Sequence, residues 1–511
     1  LDDLTPVIIG VGEASERIDA PDYAALSPVA LAAQASLAAL DDALSRAALA
    51  PHLDTIAAVR QFEVSIAGAV ATFGRADNVP RAVARRIGAT PERAILEPVG
   101  GQGPQHLVNE LCGRIARGEI GLALICGAEA ISTVRHLTGR GETRDWAQDI
   151  GGQLEDRGLG DPLLTADLAR HGAATPIAVY ALFENARRGR LGMGRDDYRL
   201  AMARRFAPMT KVAADNPHAM SREVFDPETL AAIAPDNRML SEPYTRRLVA
   251  RDQANQGAAV LMASVGLARS LGVPEDRFVY LHGGSDARER MPMERRDLSR
   301  SPASILAAKA ALAAAGVEPS EIDLFDLYSC FPIAVTNILE GLGIPADDPR
   351  PFSMTGGLPY FGGAGNNYSM HAIASMVRAL RHQPGALGFV GANGGFLTKY
   401  SAGVYSTTPK SWRPIDNRAL QTEIESWPAP DVVPGVGSGR VETYTINHGG
   451  ETPRGVIVGR LEAGGGRFIS TTSADDRAMV ETMMDIDPLG ARVEVALDER
   501  GRSIVHSIEK A

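Results

Sequence analysis

Cysteine is scarce: Cys112, Cys126 and Cys330 are the only three in 511 residues. None shares a C-x-x-C spacing with another, which argues against a disulfide framework and against a zinc site. Long apolar runs are also missing. No stretch reaches the roughly 18 to 20 residues of a membrane span, and the opening LDDLTPVIIG lacks the basic-then-apolar order of a secretory signal. Positive charge is not in excess either, because 52 Lys plus Arg face 62 Asp plus Glu for a formal charge of −10. That balance argues against a nucleic-acid or anionic-membrane surface as the main partner. The expectation is a cytoplasmic protein with no membrane span and no nucleic-acid partner.

What is present is an ordinary globular composition, 45% apolar, and a length that allows about three domains. Short β-branched runs near residues 6–12, 56–59, 93–99 and 121–125 read as buried strands. Helical patterns lie between them, near 27–40, 80–87 and 103–117. This alternation predicts an α/β sheet covered on both faces. The succession then recurs. LAAQASLAAL is echoed by LAAKAALAAAGV, the loop and helix from Gly100 by those from Gly362, and ALICGAEA by LGFVGANGG. Offsets of about 265 to 275 residues point to two similar halves.

The longest glycine-rich stretch, residues 355–381, reads as a loop feeding an amphipathic helix. Gly356, Gly357, Gly362, Gly363 and Gly365 permit positive φ and close approach. Asn366 or Asn367 offers an N-cap, and free N–H groups would face an anion or a polarised carbonyl. Between the halves, residues 136–252 carry two helices and many arginines, as expected of a ligand-facing subdomain. From about Lys410 a Pro-rich linker leads into period-2 segments that read as a small β-barrel. That tail is expected to be an accessory, so that a chain ending near Thr408 stays folded.

Taken in order, IARG before ALICGAEA, PIAVYALFENARRG, VAADNPHAM, QGAAVLM, DLYSCFP, GGLPYFGG and GANGGF resemble the thiolase superfamily. The likeness is to the divergent relatives of the sterol-carrier-protein thiolases that carry an extra C-terminal β-domain. It implies a thiolase fold of two similar halves in five αβαβα layers, with an inserted loop domain and a C-terminal β-barrel-like domain. The expected division is 1–275 with the loop domain at about 136–252, then 276–408, then 409–511.

The resemblance also implies where chemistry belongs. The family's nucleophilic cysteine falls on Gly101, its histidine or asparagine on Tyr328, its activating histidine on Gly363 and its acid/base cysteine on Gly391. All four have changed, so no covalent cysteine intermediate is expected. In some thiolase-like aldolases of sterol side-chain degradation, tyrosines replace these groups, and a small barrel partner assists. By that analogy Tyr328, Tyr368, His371 and Asn393 are the candidate catalytic residues, with His371 tuning the Tyr328 phenol. Gly101, Gln102, Gly103, Gly362 and Gly363 would cradle a coenzyme A thioester, and N–H groups at Gln102 and Gly103 would stabilise an oxyanion. No metal and no covalently bound cofactor are expected. The implied function is making or breaking a C–C bond beside a thioester carbonyl, as an acyltransferase or by retro-aldol or retro-Claisen chemistry. The alternative is a non-catalytic homologue that binds coenzyme A or a partner. Monomer and homodimer are both left open.

Overall fold

The computed structural model describes residues 1–162 and 164–510. The first half carries β1 (Pro6–Ser15), β2 (Thr55–Val59), β3 (Arg93–Glu97) and β4 (Leu122–Ala130). An insertion then bears the short strands β5 (Glu155–Asp156), β6 (Met239–Ser241) and β7 (Tyr244–Thr245), and β8 (Asn255–Ser264) closes the half. The sheet order is β1-β8-β4-β2-β3-β5, with β8 antiparallel to both β1 and β4. The second half has β9 (Tyr280–Arg288), β10 (Leu324–Leu327), β11 (Gly388–Gly394) and β12 (Lys399–Ser406), ordered β10-β11-β12-β9. Here too the last strand is antiparallel to both its neighbours. The two halves therefore share one winding, and the second lacks counterparts of the two strands β3 and β5 at the first sheet's edge.

The helices that cover these sheets are α1 (Pro28–Ala43), α2 (Val79–Ile87) and α3 (Gly103–Ala116) in the first half. The insertion contributes α4 (Pro176–Leu191) and α5 (Arg195–Asp215), and the second half α6 (Pro302–Ala315), α7 (Pro332–Gly341) and α8 (Tyr368–His382). Helices α1 and α2 cover the first sheet and α6 and α7 the second, while α3 and α8 pack against each other between the two sheets. The result is five layers, αβαβα. Glycine sets how closely the outer helices approach. A Cβ at Gly12 would lie 2.5 Å from the Ala39 nitrogen of α1, and one at Gly283 would lie 2.5 Å from the Ala315 nitrogen of α6. The same contact recurs in both halves, and any larger residue would push the helix off its sheet.

The tail differs from its sequence reading in two ways. The Pro-rich linker holds a helix, α9 (Arg418–Ser426), and a second helix, α10 (Arg477–Asp485), interrupts the strands β13 (Gly437–Asn447), β14 (Arg454–Leu461), β15 (Arg467–Thr471), β16 (Arg492–Leu497) and β17 (Ser503–Glu509). Asp476 caps α10 by accepting from the Met479 N–H at 2.9 Å, a start signal hidden among turn-like residues. The pairings β13–β14–β15–β17–β16–β13 close a five-stranded barrel. With its helix between the third and fourth strands, this is the winding of an OB-fold.

The barrel has its own core, with Tyr444, Ile457, Phe468 and Val493 inside. Val456, Val458 and Ile469 on its wall instead join the core of the main body. Asn447 pairs with Ser241 of the insertion, and Arg188 of α4, only 1% exposed, meets Asp487 at 2.7 Å. Arg195 donates to the Met483 and Ile486 carbonyls at 2.7 and 2.8 Å. The tail is thus joined to the loop domain by strand pairing, a buried ion pair and shared packing. These contacts argue against the expectation that a chain ending near Thr408 stays folded.

Candidate functional site

Gly101 lies two residues before α3, and its missing side chain is replaced by a neighbour. A Cβ built there would sit 2.5 Å from Tyr328 Cζ and 2.7 Å from the Asn393 carbonyl oxygen, with the Tyr328 hydroxyl closer still. The phenol that leaves the end of β10 fills the volume a cysteine would need. Gly391 on β11 repeats the arrangement with the Tyr400 hydroxyl. At Gly363 the near neighbours are the Arg251 carbonyl oxygen at 3.2 Å and Leu358 Cδ2 at 3.5 Å. At Gly101 and Gly391 glycine and tyrosine are complementary shapes, so the polar centre is packed.

Tyr328 retains 8% exposure, and its hydroxyl has no hydrogen-bond partner among the described residues. Its ring stands edge-on to Tyr368 at 5.4 Å. Burial, with Cys330 beside it, pushes the phenol far above its ordinary pKa, so it is a neutral donor and not a ready base. The Tyr368 hydroxyl lies 2.6 Å from Thr355 Oγ1 and 3.4 Å from Asp326 Oδ1. Burial raises Asp326 to about 7 although the Met354 N–H and the Ser353 hydroxyl oppose it. Asn393 donates to the Tyr180 hydroxyl at 2.6 Å, and its side-chain oxygen is buried without a partner.

His371 stands elsewhere. Its Nδ1 lies 2.6 Å from Glu13 on β1 and its ring packs on Phe361 at 5.0 Å. Burial opposes ionisation of Glu13, but the His371 hydrogen bond and the charges of His371 and Arg378 prevail and hold it down to about 2. His371 is therefore tied to Glu13 and is not free to tune Tyr328, as the sequence reading expected. All three thiols are buried. Burial lifts Cys126 and Cys330 to about 12 and Cys112 further, so none supplies a thiolate near neutrality.

The glycine loops hold themselves more than the sequence suggested. The Gly103 N–H donates to the Gly100 carbonyl at 3.0 Å, so one of the two expected oxyanion donors at the start of α3 is spent, and residue 104 is a proline that adds none. In the second loop, Gly356, Gly357, Gly362 and Gly365 have positive φ, whereas Gly363 does not. The Gly356, Gly357 and Leu358 N–H groups are taken by Ser353, Thr355 and Ser329 side chains at 3.0, 3.1 and 3.0 Å. Asn367 stands at the N-cap position of α8, but its side chain makes no capping bond. Asn366 donates to the Arg60 carbonyl at 2.9 Å and Asn367 to the Gly127 carbonyl at 2.8 Å, clamping the loop to the first half.

Beside this loop lies a cavity of about 590 Å³ lined by Arg17, Met220, Ser221, Arg222, Glu223 and Arg251. The Gly363 N–H donates to the Arg251 carbonyl at 2.7 Å, and the Met220 and Ser221 N–H groups to Phe361 and Tyr360 at 2.8 and 3.0 Å. Ala250, next in chain, donates to the Cys330 carbonyl at 2.9 Å. The cavity wall is thus bonded both to the glycine loop and to the segment that carries Tyr328. Burial, then crowding by Arg246 and Arg17, makes the Arg251 cation harder to hold. An anion placed there would relieve that strain. These arginines were missed because each, read alone, looks like part of a solvated face, and only the fold brings them together.

Gln102 lines a different cavity, of about 770 Å³, at the start of α3. At its edge Glu97, His106 and, behind them, Glu110 bring ligand atoms within 4.8 Å of one another, but Arg157 already bridges the two carboxylates at 2.8 and 2.7 Å. No helix among the described residues is long and apolar enough to cross a membrane.

Comparison with known proteins agrees with this architecture. The family model described as the additional C-terminal domain of thiolase-like protein type 1 matches residues 419–500. A monomeric SCP2-thiolase-like protein type 1 from Mycobacterium smegmatis is 41% identical, covers 100% of both chains and superposes with a TM-score of 0.85. An Ltp2-ChsH2(DUF35) aldolase covers 79% of this chain and 98% of its own at 20% identity and a TM-score of 0.57. The dimeric peroxisomal thiolase of Saccharomyces cerevisiae covers 80% and 98% at 15% identity and a TM-score of 0.56. The last two likenesses concern the fold alone. No curated protein sequence matches.

Proposed function

Since the chain belongs to the SCP2-thiolase-like proteins of type 1, we propose that it binds a coenzyme A thioester and makes or breaks a C–C bond beside the thioester carbonyl without a cysteine intermediate. The observation that carries this reading is the arginine cavity bonded to the glycine loop. Arg17, Arg222 and Arg251 suit the phosphates of coenzyme A. Met220, Val249, Cys330 and Tyr328 each keep 8% exposure in an otherwise closed region, which supports a narrow way in for the acyl end.

In the retro-aldol direction the proton of the β-hydroxyl leaves, the C–C bond breaks, and the electron pair moves onto the thioester carbonyl as an enolate. Tyr328, neutral and without a partner, donates its hydrogen bond to that oxygen. The released proton passes to the Tyr368–Thr355–Asp326 network, whose carboxyl burial holds near 7. The enolate carbon then takes a proton, which closes the balance. The reaction class is an analogy with the aldolase and thiolase relatives.

A non-catalytic acyl-CoA-binding role is the second reading. It is favoured by the filling of the Gly101 and Gly391 side-chain volumes by tyrosine hydroxyls. Calorimetric titration with acetyl-CoA tests both. The wild type binds, and Arg222→Ser with Arg251→Ser weakens binding at least roughly tenfold, about 1.4 kcal/mol. Tyr328→Phe leaves binding unchanged and lowers turnover of a β-hydroxyacyl-CoA roughly 100-fold. Binding without turnover selects the second reading, and absence of binding sinks both.

A further inference from the structure

Lys399, the first residue of β12, is only 8% exposed. Its Nζ donates to the Val99 carbonyl at 2.9 Å, and no carboxylate among the described residues lies within ion-pair distance of it. A nearly buried ammonium with one neutral acceptor is costly unless an anion joins it. Lys399 lines the cavity of about 770 Å³ at the start of α3, well within the size of small-molecule sites.

Most other charges facing this cavity are already matched. Arg288 meets Asp161 at 3.4 Å, Arg418 meets Asp416 at 2.7 Å, and Glu97 is held by Arg157 at 2.8 Å. His106, 38% exposed, stands 3.2 Å from Asp286. Burial works against its charge, but Asp286, Glu97 and Glu110 prevail and raise it to about 9, so the ring is a cation at neutral pH. Asp286 is saturated in turn by Ser401 at 2.6 Å, Asn109 at 3.2 Å and Asn417 at 3.3 Å. The unmatched charges are Lys399 in the interior and Glu425 on α9, which is exposed.

We propose that this cavity is a second ligand site, separate from the arginine cavity, that takes a small carboxylate paired with Lys399 and flanked by the His106 ring. The single unmatched cation sets the charge of the ligand group at one, and Glu425 leaves room for a polar or cationic end pointing outward. The site is independent of the coenzyme A reading and survives its failure.

The chain has five lysines, Lys211, Lys309, Lys399, Lys410 and Lys510, so reductive ¹³C-methylation of the full-length protein gives a methyl spectrum simple enough to resolve. Lys399→Met assigns the Lys399 signal. Should that variant fail to fold, Lys→Arg changes at the other four assign it by elimination. Glu97, Asp161, Arg288 and His106 face Lys399 from four different segments, and burial already lowers its pKa. With sodium acetate as the probe, the Lys399 signal alone is expected to shift saturably and its titration to move to higher pH. His106→Asn is expected to weaken the effect roughly tenfold, as for loss of one charged partner, while Arg222→Ser leaves it unchanged. A Lys399 signal that does not respond to acetate overturns the proposal, and so does a shift shared equally by all five lysines.

Discussion

A cysteine at position 101 tests whether the altered centre is a thiolase missing one atom set or a different packing arrangement. In Gly101→Cys the new Cβ would meet Tyr328 Cζ at 2.5 Å and the Asn393 carbonyl at 2.7 Å, whereas relaxed heavy-atom contacts lie near 3.5 to 4.0 Å. The phenol must retreat by about 1 Å, and Tyr368 stands edge-on behind it at 5.4 Å. Overpacking of this kind costs about 2 to 3 kcal/mol. Tyr328→Ala alone should cost about 3 to 5 kcal/mol through the lost aromatic and the cavity left behind. If the two side chains compete for one volume, the double variant falls short of the sum by about 2 kcal/mol, because the cysteine then occupies freed space. The Asn393 carbonyl stays in place, so recovery is partial. Urea unfolding of the four proteins, followed by tryptophan fluorescence and far-UV circular dichroism, measures this coupling. Additivity within about 0.5 kcal/mol would refute the shared-volume argument. Rapid thiolysis of acetoacetyl-CoA by Gly101→Cys alone would refute it more directly, since an undisturbed tyrosine leaves the thiol nowhere to go.

Incubation with acetyl-CoA should leave the intact mass unchanged, because the three thiols are buried and protonated; an acetyl adduct mapped to Cys112, Cys126 or Cys330 would contradict this. Burial, only partly offset by the Phe62 N–H, raises Glu129 to about 8 from 4.5, so its favourable contribution is complete below about pH 4.5 and is lost as pH rises through about 8. Glu129→Gln should therefore flatten the decline in stability across that window, and an unchanged pH profile of thermal unfolding would count against the assignment. A chain ended after Thr408 strips Arg188 of Asp487 and uncovers the barrel-facing core. It should be degraded rapidly in limited proteolysis, whereas a protease-resistant, fully helical fragment would restore the idea of a detachable tail.

Much of the architecture can be read along the chain because its signals are local. Residues 27–40 and 302–315 announce paired helices through their alanine spacing, and the glycines of β1 and β9 mark where those helices touch. The barrel strands follow from period-2 patterning. Helix α10 was not legible, because Asp476 and its neighbours look like a turn until Asp476 is seen to cap Met479. Helix α9 was masked by the prolines on either side of it. The site was harder to read, since its logic is complementary over long separations. Gly101 and Tyr328 look like two losses in sequence and become one filled volume in space. His371 has helical spacing from Tyr368, but its partner Glu13 lies on the first strand. Lys399 carries no motif, and its isolation from any carboxylate exists only in three dimensions.

The joint between loop domain and barrel bears on how the chain is made. The insertion's strand at Ser241 pairs with Asn447, and Arg188 waits for Asp487, 299 residues further on. Emerging from the ribosome at about 5 to 20 residues per second, the middle of the chain is exposed for tens of seconds before its last partners exist. During that time the Val456, Val458 and Ile469 wall is missing from the core, and the insertion offers unpaired strand edges to other chains. Premature termination in the final sixty or so residues would therefore harm the centre of the protein as much as its end. Such products should collect with chaperones in the cell rather than persist as shortened, working molecules.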